Sequence, residues 1–283
     1  SNPAVRDHLL AVARHWLERG IDGWRLDVPS EVPKDFWVAF RQVVREVNPE
    51  AWIVGEIWGD ARAWLGGEHF DGVMNYRLGW SSLSWAAAGE LDSSYCNPEY
   101  PLTPLEGPEL IAIWQKTAAW YRPEVNRAQM NLLDSHDVPR ALHSLKNDGS
   151  ALRLALLLLF CQPRAPCLYY GTEVGLRGGA EPACREAFPW EEEPMLDLRG
   201  LIRELVELRS THAAMSRGGL QWQPLGRDGL MATAPGFQLV VNRSRCENLA
   251  YATPELFKPV WNLGCDNKIG TLTPQSAALL VEG

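Results

Sequence analysis

Three acidic residues stand where apolar, strand-like runs give way to polar ones: Asp27 in "GWRLDV", Glu56 in "VGEIW" and Asp137 in "LLDSHD". A charge in such a place needs a partner or a task, because burying it unpaired is costly. Arg25 has the same parity as Asp27, so on a strand the two point to one side. A structural ion pair would explain that couple alone, but it leaves Glu56 and Asp137 unaccounted for. Two carboxylates flanking one bond are what glycoside cleavage needs: one attacks or supports the anomeric carbon while the other protonates the departing oxygen. The third acid, beside His136, suits the holding of sugar hydroxyls and of a distorted, cationic transition state. A general acid must keep its proton, and the apolar Ile57 and Trp58 next to Glu56 are suitable company for one.

The elements that position these acids are legible from period. "PAVRDHLLAVARHWLERG" places Val5, Leu9, Val12, Trp16 and Leu17 on one helical face and stops at Gly20. A strand through "DGWRLDV" follows, then a helix from Lys34 to about Val47. "AWIVGEIW", "FDGVMNY", "QMNLLDSHD" and "PCLYYGTEVG" read as further strands. "PELIAIWQKTAAWY", "ALRLALLLLF" and "DLRGLIRELVELRSTH" read as helices, the last with Leu198, Ile202, Leu205 and Leu208 on one face. Apolar strands alternating with helices mean parallel β-structure buried on both sides. Asp27 and Glu56 are 29 residues apart, close to the roughly 31 residues per unit of an eight-fold βα barrel, whose chemistry sits at strand C-terminal ends. A doubly wound sheet would announce itself with a glycine-rich turn after its first strand, and none is present. About five strands are visible where a closed barrel needs about eight. The expected fold class is therefore α/β: a partial TIM (β/α)8 barrel over residues 1–215, followed by a small antiparallel β-sandwich domain over residues 216–283.

Composition narrows the partners. A net charge of −8 argues against nucleic acid and leaves room for a neutral or cationic substrate. The 13 tryptophans include Trp24, Trp58 and Trp64 near the acids, as suited to core packing as to stacking on sugar rings. Tyr169 and Tyr170 are expected to pack at a strand end. The six cysteines form no CxxC pair, so they read as free, mostly buried thiols in a reducing, cytoplasmic setting. No stretch reaches membrane-spanning length. The first residue is Ser1 rather than Met, which points to a start that is processed, cut or missing.

On these segments the chain resembles the α-amylase family of glycoside hydrolases, in its neopullulanase, cyclomaltodextrinase and maltogenic amylase branch. "GIDGWRLDV", "IVGEIW" and "NLLDSHDVPR" look like three of the family's signature segments, and "QPRAPCLYYGTEVGL" and "EPACREAFPW" resemble those that follow. The resemblance implies a retaining α-glucan hydrolase acting on α-1,4 or α-1,6 bonds of maltooligosaccharides, cyclodextrins, pullulan or starch. In it Asp27 is the nucleophile, Glu56 the general acid/base and Asp137 the transition-state stabiliser. Arg25 keeps Asp27 ionised and oriented, and His136 binds the sugar next to the cleavage point. Trp58, Glu31 and Arg140 are further candidates for the cleft. No cofactor is required, and the usual ligands of a structural calcium lie outside this chain.

The departures are as specific. The family's first signature segment, a strand ending in Asp…Asn-His, has no counterpart here. Nor has the domain that interrupts the barrel after its third strand, or the N-terminal domain that often mediates dimerisation of the full-length protein. Gly59 stands where a His is expected after "GEIW", and "PSE" replaces the usual "ANE". Both changes fall on the side that receives the leaving group or acceptor, so the choice between hydrolysis and transglycosylation stays open. The alternatives are a disaccharide-rearranging relative such as a trehalose-forming isomerase, and a non-catalytic carbohydrate-binding relative or inactive fragment. Five βα units leave strand edges open, so a companion N-terminal segment is expected to complete the barrel.

Overall fold

The computed structural model describes residues 2–163, 165–264 and 269–283. The order begins α1 (Pro3–Glu18), β1 (Gly23–Leu26), α2 (Lys34–Val47), β2 (Trp52–Gly55), β3 (Gly72–Asn75) and α3 (Tyr76–Ala86). It continues α4 (Gly107–Ala118), α5 (Pro123–Asn126), β4 (Met130–Leu132), α6 (Ala141–Ser144), α7 (Gly149–Phe160) and β5 (Ala165–Cys167). Then come α8 (Arg199–Thr211), α9 (Ala213–Arg217), β6 (Gln221–Leu225), β7 (Gly229–Ala234) and β8 (Phe237–Asn242). The chain ends with β9 (Leu249–Ala250), β10 (Phe257–Leu263), β11 (Thr271–Leu272) and β12 (Ser276–Glu282). It divides into two compact units, residues 1–75 with 119–130 and residues 76–118 with 131–283.

In the first unit β1 pairs with β2 and β2 with β3, all parallel. Asn2 caps α1 by accepting from the Ala4 N–H at 3.0 Å, and Pro3 opens the helix where no N–H is missed. Gly20, at φ +94°, ends it in the left-handed region. Ala13 and Leu17 are its buried residues, whereas Val5, Leu9 and Trp16 lie exposed. This corrects the expected apolar face in part: Leu17 is buried as expected, beside Ala13, while Val5, Leu9 and Trp16 turn outward. On α2, Trp37, Phe40 and Val44 recur at helical spacing and are buried. Trp24 packs edge-on against Phe40 with ring centroids 5.9 Å apart, and Trp64 stacks on Phe70 at 5.6 Å. Both tryptophans are half-buried and pack against the core of this unit, which includes Ala51, Ile53 and Val73.

In the second unit α3 is buried along nearly its whole length and packs against α7. The sequence pattern gave no helix here, because a helix covered on all sides has no polar stripe to set its period. Asp148 caps α7 by accepting from the Ser150 and Ala151 N–H groups at 2.9 and 3.1 Å. Strands β6–β12 are antiparallel: one sheet runs in the order β10-β12-β8-β7-β6, and β9 and β11 pair separately. Every residue of β8 is buried. Arg243 joins the two parts of this unit: it pairs with Asp228 at 2.8 Å and donates to the Leu105 carbonyl at 2.6 Å and to that of Trp85. The first five strands are shorter than their apolar runs suggested. β2 stops at Gly55, β4 at Leu132 and β5 at Cys167, which leaves every candidate acid in the segment just beyond a strand.

Cys96, Cys161, Cys167, Cys184 and Cys246 are free. Cys96 and Cys246 are exposed rather than buried as expected, and Cys265 lies outside the described residues. No helix among the described residues is long and apolar enough to cross a membrane.

Candidate active site

The first unit brings Arg25, Asp27, Glu56 and Trp58 together. Asp27 follows the last residue of β1, and Glu56 the last of β2. Arg25 projects from β1 between them, its Nη1 2.5 Å from Asp27 Oδ1 and its Nη2 3.0 Å from Glu56 Oε2. Its Nε donates to Met74 Sδ of β3 at 3.4 Å. One guanidinium thus fixes both carboxylates, and the parallel pairing of β1 with β2 brings them within its reach. The Glu56 N–H donates to the Leu26 carbonyl at 2.9 Å, carrying the pairing one step past the end of β2.

The two acids differ in surroundings. The Asp27 side chain is 77% exposed, that of Glu56 only 8%. Glu56 Oε2 accepts from the Val28 N–H at 3.1 Å, and Oε1 from Trp58 Nε1 at 3.1 Å. This donor set fits an ionised carboxylate. Val28 adopts φ 35° and ψ 50°, the left-handed region, where a β-branched side chain is strained. The strain coincides with the contact to Glu56, whose Oε2 the Val28 N–H meets. Glu31 lies exposed in a 3₁₀ turn over Pro29–Glu31.

The second unit brings His136 and Asp137 together, in the segment after β4. His136 Nε2 is 3.1 Å from Asp137 Oδ2, and Arg185 Nη2 is 3.1 Å from Asp137 Oδ1. Arg185 Nε donates to the His136 carbonyl at 2.9 Å, an acceptor shared with the Cys184 thiol at 3.1 Å. From the other side, Tyr95 donates to the Asp137 carbonyl at 3.3 Å, and the Asp137 N–H donates to Ser135 Oγ at 3.1 Å. The Ser135 hydroxyl meets that of Tyr76 at 2.9 Å.

Arg140 corrects an expectation. It is wholly buried rather than lining a cleft. Its guanidinium stands over the rings of Tyr169 and Tyr170, at 4.2 and 4.6 Å, and donates to the Cys184 carbonyl at 2.8 Å and to that of Tyr170. It ties three segments together and is screened from any ligand. Arg185, Tyr95 and Ser135 are neighbours of Asp137 that sequence reasoning missed. Arg185 lies in a quoted segment, "EPACREAFPW", but nothing in its spacing ties it to a residue 48 positions earlier.

Comparison with known proteins shows the family. Residues 1–224 match the family model described as "Alpha amylase, catalytic domain". Neopullulanase 2 of Thermoactinomyces vulgaris is 37% identical over 270 residues, covering 92% of this chain and 43% of the relative. The intracellular maltogenic amylase of Bacillus subtilis is 36% identical over 228 residues, covering 80% of this chain and 36% of the relative. The crystal structure of Ttha1563 from Thermus thermophilus superposes with a TM-score of 0.88 at 38% identity, over 100% of this chain and 63% of that one. The chain therefore spans less than two thirds of the length of these relatives. Its fold class is α/β, with five parallel-type strands of a (β/α)8 barrel followed by an antiparallel β domain. The signature segments, the strand-end acids and these matches lead to one conclusion: the chain belongs to the α-amylase family.

Proposed function

We propose that the protein containing this chain is a retaining α-glucan hydrolase of the neopullulanase, cyclomaltodextrinase and maltogenic amylase branch, cleaving α-1,4 or α-1,6 bonds and able to transglycosylate. The observation that carries this reading is the single Arg25 guanidinium held against both Asp27 and Glu56. In the proposed reaction Asp27 attacks the anomeric carbon, and Glu56 gives its proton to the departing oxygen. The glycosyl ester on Asp27 is then displaced by water, whose proton returns to Glu56. The deprotonated Glu56 of that second step is the form its two hydrogen-bond donors and the Arg25 cation fit. Asp137, steadied by His136 and Arg185, holds sugar hydroxyls as positive charge develops on the ring. Exposure of Asp27 leaves its free oxygen open to substrate, while enclosure of Glu56 fixes one proton-transfer direction. Trp58 and Glu31 contact the sugar beyond the bond. The chemistry uses carboxylates and needs no cofactor.

The catalytic unit in this proposal includes a companion N-terminal segment that supplies the remaining barrel strands. A cytoplasmic setting is proposed from the free thiols and from the intracellular Bacillus subtilis relative. The test is release of reducing sugar from maltotriose, a cyclodextrin and pullulan by the protein containing this chain, with Asp27→Asn as control. Activity lost in the variant supports the assignment. Trehalose formed from maltose would point to the isomerase reading instead, and sugar binding with no turnover to a non-catalytic relative.

A further inference from the structure

Behind the His136–Asp137 segment lies a carboxylate that the proposed reaction does not use. Asp134 is buried, at 4% exposure. Its Oδ2 accepts from the Ala141 N–H at 2.7 Å, and the Thr172 hydroxyl stands 3.5 Å from each of its oxygens. Ala141 lies at the far end of the same segment, and Thr172 in the segment after β5. Three neighbouring residues are held by hydroxyls: Tyr100 donates to the Leu133 carbonyl at 2.6 Å, Tyr76 meets Ser135, and Tyr95 donates to the Asp137 carbonyl, while the half-exposed Arg185 pairs with Asp137. Asp134 differs in being a buried carboxylate, and Arg140 is a cation buried behind the same loop.

We propose that Asp134 is a positioning residue for the loop bearing His136 and Asp137, its ionised carboxylate bracing both ends of that loop and answering the charge of Arg140. The inference rests on the reading of Asp137 as a functional carboxylate. Burial pushes Asp134 up to about 6, while the Ala141 N–H, Arg140 and Thr172 pull it back down. Among the described residues Tyr100 and Cys167 also face it, both raised by burial and hence neutral near pH 7. The brace is therefore charged at neutral pH and loses its charge as pH falls through about 6. A side chain selected for stability alone would not be a buried carboxylate here, since the neutral form suits the site better.

The experiment compares Asp134→Asn with the unsubstituted protein, full chain and any companion segment included, on maltotriose from about pH 5 to 8. The expected result is a kcat near pH 7 lowered at least about 10-fold with KM within about 3-fold, as for a misplaced catalytic group. The step in kcat near pH 6 disappears, and the unfolding midpoint at neutral pH rises. A kcat within about 2-fold of the parent, or an unchanged pH profile, overturns the proposal. So does a variant that fails to fold, because a purely structural role predicts loss of stability where this one predicts gain. The His136 imidazole titration, followed by NMR in both proteins, is a readout independent of turnover. If the parent protein hydrolyses nothing, the functional reading falls, yet a His136 titration altered by Asp134→Asn still supports the positioning role and an unaltered one ends it.

Discussion

Replacing Asp134 by Asn also makes a quantitative prediction about stability. In the fold the carboxyl is raised from 3.8 to about 6, chiefly by burial. The folded state thus holds this proton more tightly than the unfolded chain. The associated stability is fully present below 3.8 and is lost as pH rises through about 6. At about 1.4 kcal/mol per pH unit, the loss is about 3 kcal/mol once Asp134 is fully ionised. Asn does not titrate, so it keeps the neutral state at every pH. Other carboxylates titrate alike in both proteins and cancel in the difference. Denaturant unfolding at a series of pH values from about 4 to 7.5 reads that difference directly. The variant should gain about 3 kcal/mol relative to the parent across this range, with most of the change between about pH 4 and 6.5. A stability difference that is flat with pH, or that shrinks as pH rises, would refute the assignment of a destabilising buried charge to Asp134.

Three further outcomes are expected. Arg25→Met leaves Asp27 and Glu56 without their shared cation and should lower kcat by about 10²–10³-fold, read from initial rates on maltotriose; a loss below about 3-fold would show that the guanidinium is not what aligns them. Val28→Gly removes the left-handed strain of about 1–2 kcal/mol and adds back about 0.5–1 kcal/mol of chain freedom. A net gain of about 0.5–1 kcal/mol in denaturant unfolding is expected, and a net loss would mean that the backbone is not strained there. Arg243→Met leaves Asp228 only the longer contact to Arg227, at 3.7 Å, and frees the Trp85 and Leu105 carbonyls; about 3 kcal/mol of stability should be lost, and a loss below about 1 kcal/mol would show that the ion pair contributes little.

The sequence by itself determined the alternation of strands and helices, the change to short antiparallel strands near the C-terminus, and the acids at strand ends. These are local facts: a strand shows its apolar run, a helix its period, and an acid in an apolar run betrays itself as an exception. The ion pair of Arg25 with Asp27 was legible for the same reason, since its partners are two residues apart. The outward turn of Val5, Leu9 and Trp16 on α1, and the all-round burial of α3, were not, because which face of a helix is covered depends on what packs against it. Only the tertiary structure moved Arg140 from an expected cleft to the interior. Only it disclosed the anchoring of Asp137 by Arg185, Tyr95 and Ser135, and the charge of Asp134 behind them. Those contacts join Asp137 to residues as far as 48 positions along the chain. Such separations carry no periodic signal in sequence; they exist because parallel strands bring successive loops to one end of the sheet. Charge at a strand end could be read as chemistry, but the groups that aim it come from elsewhere in the fold.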